Sequence, residues 1–299
     1  MRRLRISAIS YLNTAPLMWG FEEPSKPHAS VELNLSQNAL KDGAPTSTQF
    51  EVSYTLPSAC ARALADGSAD IGIIPAAAYT QIPGLQILPD VAIASRRAVR
   101  SILLVSKIPV ELVRSVALDT SSMTSVALTK ILFEKWLGGG RTYTAMEPRI
   151  EEMLEECDAG LVIGDPALQI DRRQYHTIDL AEEWIRYTGK PFVFAFWAVR
   201  SDALREADPA LDLAAVFRVS RDRGLESQSL DAITREWAPR LGMTESDVRT
   251  YLTENIHYHL DAGCLEGLRL FYRHAEEIGA RPAAPELRFV QTSQVVARS

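Results

Sequence analysis

The chain has 299 residues, 46% of them hydrophobic and 23% charged, which suits two packed domains and excludes a disordered protein. A net charge of −6 excludes nucleic acid as the default partner, because phosphate contacts need a basic surface. Cys60, Cys157 and Cys264 lie far apart without a CxxC, so neither a disulfide framework nor a zinc site is supported, and buried thiols in a reducing compartment are expected.

The run LRISAISYL predicts the first strand, and Asn13-Thr14-Ala15-Pro16 breaks it into a strand-to-helix turn. Arg5 and Asn13 interrupt the apolar stretch, so no secretion signal is expected. No window approaches the ~20 apolar residues of a membrane span, and a cytoplasmic protein with no membrane partner is expected. Residues 22–48 are rich in Pro, Ser, Lys and Asn and read as an irregular segment around one short strand, VELNL.

Pro57-Ser58 signals a helix start, and Asp66-Gly67 its end. DIGIIP is a short buried strand, and Pro75 is expected to open another helix. Residues 91–106 hold two strand-like runs with a basic hinge between them. SVALD, a Ser/Thr-rich turn, an amphipathic helix and Gly138-Gly139-Gly140 follow as strand, turn, helix and stop. AGLVIGDPAL repeats the strand-turn-helix plan, PFVFAFWAVR is a long apolar strand, and residues 202–279 are helical almost throughout.

This alternation predicts an α/β protein of two lobes with a helical tail. Lobe one is expected to comprise 1–97 plus 199–299 and lobe two 98–198, with hinge crossings near 95–100 and 196–200. Ligands of open α/β sheets bind at the carboxyl ends of strands beside helix N-termini, which places the site in the cleft between the lobes.

GxSxG, GxxxxGK[ST], HExxH and GxGxxG are all absent, and no cofactor or metal is expected. His257-Tyr258-His259 puts two imidazoles on one face with no third ligand nearby, which favours a structural or surface role. The remaining candidates are polar turns after strands: Asn13, Ser58, Ser101, the cluster Thr120, Ser121, Ser122, Thr124 and Ser125, and Asp165. Each alone can cap a helix or close a turn. Five hydroxyls in six residues exceed what one cap needs, and a helix N-terminus favours an anion, so the cluster reads as a carboxylate cradle.

Seven segments resemble, in order and spacing, the chorismate dehydratases of the futalosine route to menaquinone. They are SYLNTAPLMWGF (10–21), LPSACARALADGSADIGIIPAAAY (56–79), VRSILLVSKIP (99–109), ALDTSSMTSVALTKILFEK (117–135), AGLVIGDPAL (159–168), DLAEEWIRYTGKPFVFAFWAVR (179–200) and EGLRLFYRHAEEIG (266–279). The resemblance implies a periplasmic-binding-protein-like type II (venus-flytrap) fold without a secretion signal. It also implies a lyase that removes water from chorismate to give 3-(1-carboxyvinyloxy)benzoate. Asn13 matches the asparagine of the family's YLN turn and Ser101 the serine of its V-x-S strand, so both are expected in the substrate cleft as catalytic residues. The stretch Pro75–Tyr79 departs from the family pattern, and segment 22–48 is longer than the family's. Two other readings stay open: the sister enzyme that makes dihydroxynaphthoate, which carries a different N-terminal turn, and a non-catalytic binder of small carboxylates. The sequence leaves the oligomeric state open.

Overall fold

IGIIP and FVFAFWAV are buried along their whole length, as central strands covered on both faces must be. They organise the first of two sheets in the computed structural model, which describes residues 2–21 and 49–291. The strand expected in VELNL lies outside the described residues.

The chain lays down β1 (Leu4–Ile9), β2 (Phe50–Thr55), β3 (Ile71–Pro75) and β4 (Leu85–Ser95). It then crosses and builds β5 (Ile102–Ser106), β6 (Ser115–Asp119), β7 (Thr142–Met146), β8 (Ala159–Ile163) and β9 (His176–Asp179). Finally β10 (Phe192–Arg200) returns to the first sheet. The strand orders are β2-β1-β3-β10-β4 and β7-β6-β8-β5-β9, so the two sheets share one plan. In each, three strands pair in parallel and a fourth enters antiparallel. That antiparallel strand is the first to arrive after a crossing: β5 from lobe one, β10 from lobe two.

Pairing over Phe192–Arg200 puts the second crossing at residues 189–191, just after helix Leu180–Thr188, rather than at 196–200. Sequence periodicity does not mark the junction, because the apolar run is continuous whichever sheet receives it. Three edge strands also escape a hydrophobic pattern. β2 and β7 expose half or more of their residues, and β9 is short and half-exposed.

The helices fill in around this frame. α1 (Ala15–Met18) and α2 (Pro57–Asp66) belong to lobe one; α3 (Thr124–Ile131), α4 (Ile150–Glu156), α5 (Asp165–Leu168) and α6 (Leu180–Thr188) to lobe two. The tail adds α7 (Ser201–Glu206), α8 (Leu213–Gly224), α9 (Ser227–Leu241), α10 (Glu245–Thr250), a π-helical turn at Tyr251–Asn255, and α11 (Ala262–Glu277). Residues Ala76–Thr80 form a 3-10 turn instead of the expected α-helix. Neighbouring side chains hold their backbone: Ala77 N–H donates to Thr124 Oγ1 at 3.1 Å, and Tyr272 donates to the Ala76 carbonyl at 2.8 Å. All three cysteines are free and buried.

The tail docks on lobe one through a tight helix contact. Ser220, fully buried on α8, donates to the Leu17 carbonyl at 2.7 Å and accepts from Gly20 N–H at 2.9 Å, closing the end of α1. One turn further, a Cβ on Gly224 would stand 1.9 Å from the Pro16 carbonyl oxygen. Backbone on both sides leaves no flexible atom to yield. Gly224→Ala is therefore expected to destabilise the fold by about 1–3 kcal/mol, the usual range for overpacking, read as a lower denaturant midpoint with unchanged slope.

Candidate active site

The carboxyl ends of β1, β3, β6 and β8 converge where the lobes meet. Their turns enclose a narrow cleft that opens to solvent. Its walls are mostly apolar, with Ile9, Ile93, Ile102, Ile163 and Phe194, and its polar lining is Tyr11, Asn13, Ser122, Thr124 and Ser125. An apolar pocket with a few convergent polar groups is the usual form of a small-molecule site. Among the described residues no lysine or arginine lines it, so an anion placed there meets dipoles rather than cations.

Direct hydrogen bonds join the lobes around this cleft. Leu12 N–H donates to the Asp165 carboxylate at 3.0 Å. Ser58 N–H donates to the Ser121 carbonyl at 3.0 Å. The Thr124 hydroxyl accepts from Ala77 N–H at 3.1 Å and donates to the Phe194 carbonyl at 3.0 Å. Gly164 makes the closest approach possible: its φ of +68° suits glycine, and any Cβ would lie 2.4 Å from the Tyr11 ring.

Asn13 sits on a 3-10 turn directly after β1, almost buried, and its Oδ1 accepts from Thr14 Oγ1 at 3.3 Å. Ser101, fully buried at the start of β5, accepts a 2.8 Å hydrogen bond from the Tyr251 phenol. Tyr251 also lies within hydrogen-bonding reach of the Asn13 side chain. The structure thus brings Asn13 and Ser101 together through a tyrosine of the tail. Ser101 stands one layer behind the lining that Asn13 and Ile102 form.

The Ser/Thr cluster divides into different tasks. Thr120 is exposed and donates to Glu147 at 3.1 Å, away from the cleft. Ser121 donates to Asp119 at 2.6 Å, and its side chain also bonds the Tyr11 phenol. Thr124 is the inter-lobe bridge described above. Ser122 and Ser125 line the cleft at the start of α3, and the first N–H groups of a helix have no intrahelical acceptor. The part of the cluster free to meet a ligand is therefore Ser122 and Ser125, with Ser58 contributing a backbone N–H already engaged across the lobes.

Burial dominates the electrostatics. It lifts the Asp165 carboxyl to about 6, against the Leu12 N–H, which favours the charged form. It lifts the Tyr11 phenol to about 12, with the Ser121 hydrogen bond acting the other way. Tyr251 is raised for the same reason, with Asp165 among the nearby charges. Asp119 is raised by burial too, and its Oδ2 has no hydrogen-bond partner among the described residues. A carboxyl displaced toward neutrality between two tyrosines is where acid-base work is expected.

Tyr11 and Tyr251 are functional candidates that sequence reasoning passes over. Tyr11 reads as part of the first strand, LRISAISYL. Tyr251 lies 150 residues from Ser101, in a tail whose periodicity assigns it to the core. The histidine pair turns out to stand beside other groups. His257 lies 2.7 Å from Asp261, which also takes Arg96 at 2.5 Å and caps α11 through Cys264 N–H. Burial pushes the Asp261 carboxyl up, but the Cys264 N–H, His257 and Arg96 together hold it well below the usual carboxylate range.

Comparison with known proteins gives this geometry a family. A family model described as menaquinone biosynthesis matches residues 4–277. The chorismate dehydratase of Thermus thermophilus is 32% identical over 254 residues, covering 79% of this chain and 89% of that protein. A solved structure from Archaeoglobus fulgidus superposes with a TM-score of 0.68 at 16% identity, covering 93% of this chain and 98% of that one. A Candida albicans protein, described as having the generic periplasmic binding protein structural fold, superposes at 0.62 with 9% identity, covering 98% and 99%. The architecture is thus the periplasmic-binding-protein-like fold. The chain belongs to the menaquinone-biosynthesis family.

Proposed function

We propose that this protein is a chorismate dehydratase, a hydro-lyase of the cytoplasm that converts chorismate to 3-(1-carboxyvinyloxy)benzoate and water. The observation that carries the reading is the cleft itself. Asn13, on the turn shared with the dehydratase pattern, lines the same cleft as the hydroxyls of Ser122 and Ser125 at a helix start. The 32% identity to a named dehydratase supports the substrate.

Chorismate carries a hydrogen on the ring carbon that bears the enolpyruvyl ether, and a hydroxyl on the next carbon. Breaking that C–H bond places an electron pair that delocalises through the ring alkene into the ring carboxylate. The pair then forms the new ring double bond as the C–O bond breaks, and hydroxide leaves with a proton as water. Aromatisation drives the step, so orientation and charge stabilisation are what the protein must supply. The start of α3, with Ser122 and Ser125, holds one carboxylate by hydroxyl and N–H dipoles. Asn13 binds the leaving hydroxyl or the second carboxylate from the lining, and Ser101 supports it from the layer behind. Asn cannot take a proton at neutral pH, so the substrate's enolpyruvyl carboxylate is the proposed acceptor. Asp165 is the alternative base, and it stands at the Leu12 turn with its carboxyl near 6.

Incubating the purified protein with chorismate, with nothing else added, is expected to yield the aromatic ether at one water less in mass. Unchanged chorismate with folded protein would favour the sister enzyme or a carboxylate binder. Asp165→Asn separates the two bases: a kcat loss under ~10-fold is expected if the substrate supplies its own base, and a loss beyond ~100-fold assigns that role to Asp165. The same variant has a stability signature. The Asp165 carboxyl is raised on folding, so native protein holds a proton there that unfolded chain releases from about pH 4. Wild-type stability therefore falls as pH rises toward 6 and levels off above it. The melting temperature of Asp165→Asn relative to wild type should climb over that interval and then stay constant.

A further inference from the structure

The crossing from β4 to β5 carries a strained residue next to Ser101. Arg100 has a φ of +66°, a left-handed region that a non-glycine residue keeps only where neighbours impose it. Lobe two holds it from one side: Val99 N–H and Arg100 N–H both donate to the Asp179 carboxylate, at 3.1 and 2.6 Å. The tail holds it from the other. His257 exchanges backbone hydrogen bonds with Ala94, at 2.8 and 2.9 Å. Asn255 Nδ2 donates to the Ala98 carbonyl at 2.9 Å, and the Tyr251 phenol donates to Ser101 Oγ at 2.8 Å. Residues 251–257 therefore run beside residues 94–101 in the opposite sense, rung by rung. The π-helical turn at Tyr251–Asn255 aims both Tyr251 and Asn255 at the crossing, and such turns recur at functional sites.

We propose that Tyr251 is a positioning residue for the dehydration, orienting the Asn13 side chain in the cleft lining and the Ser101 hydroxyl directly behind it. The proposal rests on the dehydratase reading and extends it to the tail. A phenol has one hydrogen, and Tyr251 directs it to Ser101. The Ser101 hydrogen is thereby turned away from Tyr251 and left to serve as a donor. Tyr251 is fully buried, so water cannot replace its hydroxyl, and the bond also ties the crossing to the tail. Tyr251 does not line the cleft and touches no substrate; it acts through Ser101 and Asn13.

The test compares wild type, Tyr251→Phe, Ser101→Ala and the double variant with chorismate, and follows the Asn13 side-chain amide by NMR in ligand-free protein. Tyr251→Phe keeps the ring packing and is expected to lower kcat at least 10-fold while KM changes less than 3-fold. The double variant should be no slower than Ser101→Ala alone, because the tyrosine acts through that hydroxyl. The Asn13 amide resonances should shift in Tyr251→Phe. An unchanged kcat, or a double variant showing the product of two independent losses, overturns the proposal. If wild-type protein leaves chorismate unchanged, the dehydratase reading is what fails; the positioning claim is then judged by the Asn13 resonances, and their constancy overturns it.

Discussion

The hydrogen bond from Leu12 N–H to the Asp165 carboxylate joins the first turn of lobe one to the corresponding turn of lobe two. The candidate site depends on that contact. It sets Asn13 at the cleft, brings Gly164 against the Tyr11 ring, and places a carboxyl near the half-buried Tyr11 and the buried Tyr251 phenols. A buried carboxylate with one N–H partner is poorly stabilised as an anion, which is why Asp165 is raised to about 6. The bond that closes the cleft is therefore also the one most sensitive to protons near neutrality.

The shared plan of the two sheets explains why such a contact arises. Each lobe sends its antiparallel fourth strand to the other lobe's sheet, so the parallel strands of both sheets point their carboxyl ends at the junction. Binding energy can then be drawn from both lobes at once. The absence of lysine and arginine among the described lining residues turns recognition toward helix-start N–H groups and hydroxyls. Such donors hold a carboxylate by direction rather than by net charge, and they need little reorganisation as charge moves into it.

The parts of this arrangement that follow local rules were legible in the sequence. Asn13, Ser58, Ser122, Ser125 and Asp165 each follow a strand or open a helix, and turn chemistry locates them. Hydroxyl spacing groups Thr120 and Ser121 with the cradle, because it does not say which side of a turn each residue faces. In the fold, Thr120 turns out to Glu147, and Ser121 turns in to Asp119. Tyr251 was invisible for a different reason: its partner is 150 residues away, and periodicity treats a buried tyrosine as core. The edge strands Phe50–Thr55 and Thr142–Met146 were missed because half their residues meet solvent. The second crossing was placed late because an apolar run does not announce which sheet it joins.

Three amides of lobe one, those of Leu12, Ser58 and Ala77, donate to acceptors of lobe two. Hydrogen exchange at these amides, with and without saturating 3-(1-carboxyvinyloxy)benzoate, tests directly whether the cleft is the ligand site and both lobes form it. Exchange at all three is expected to slow together when the ligand binds. Exchange left unchanged at all three, with binding shown to be saturated, would contradict it and place the ligand elsewhere on the molecule.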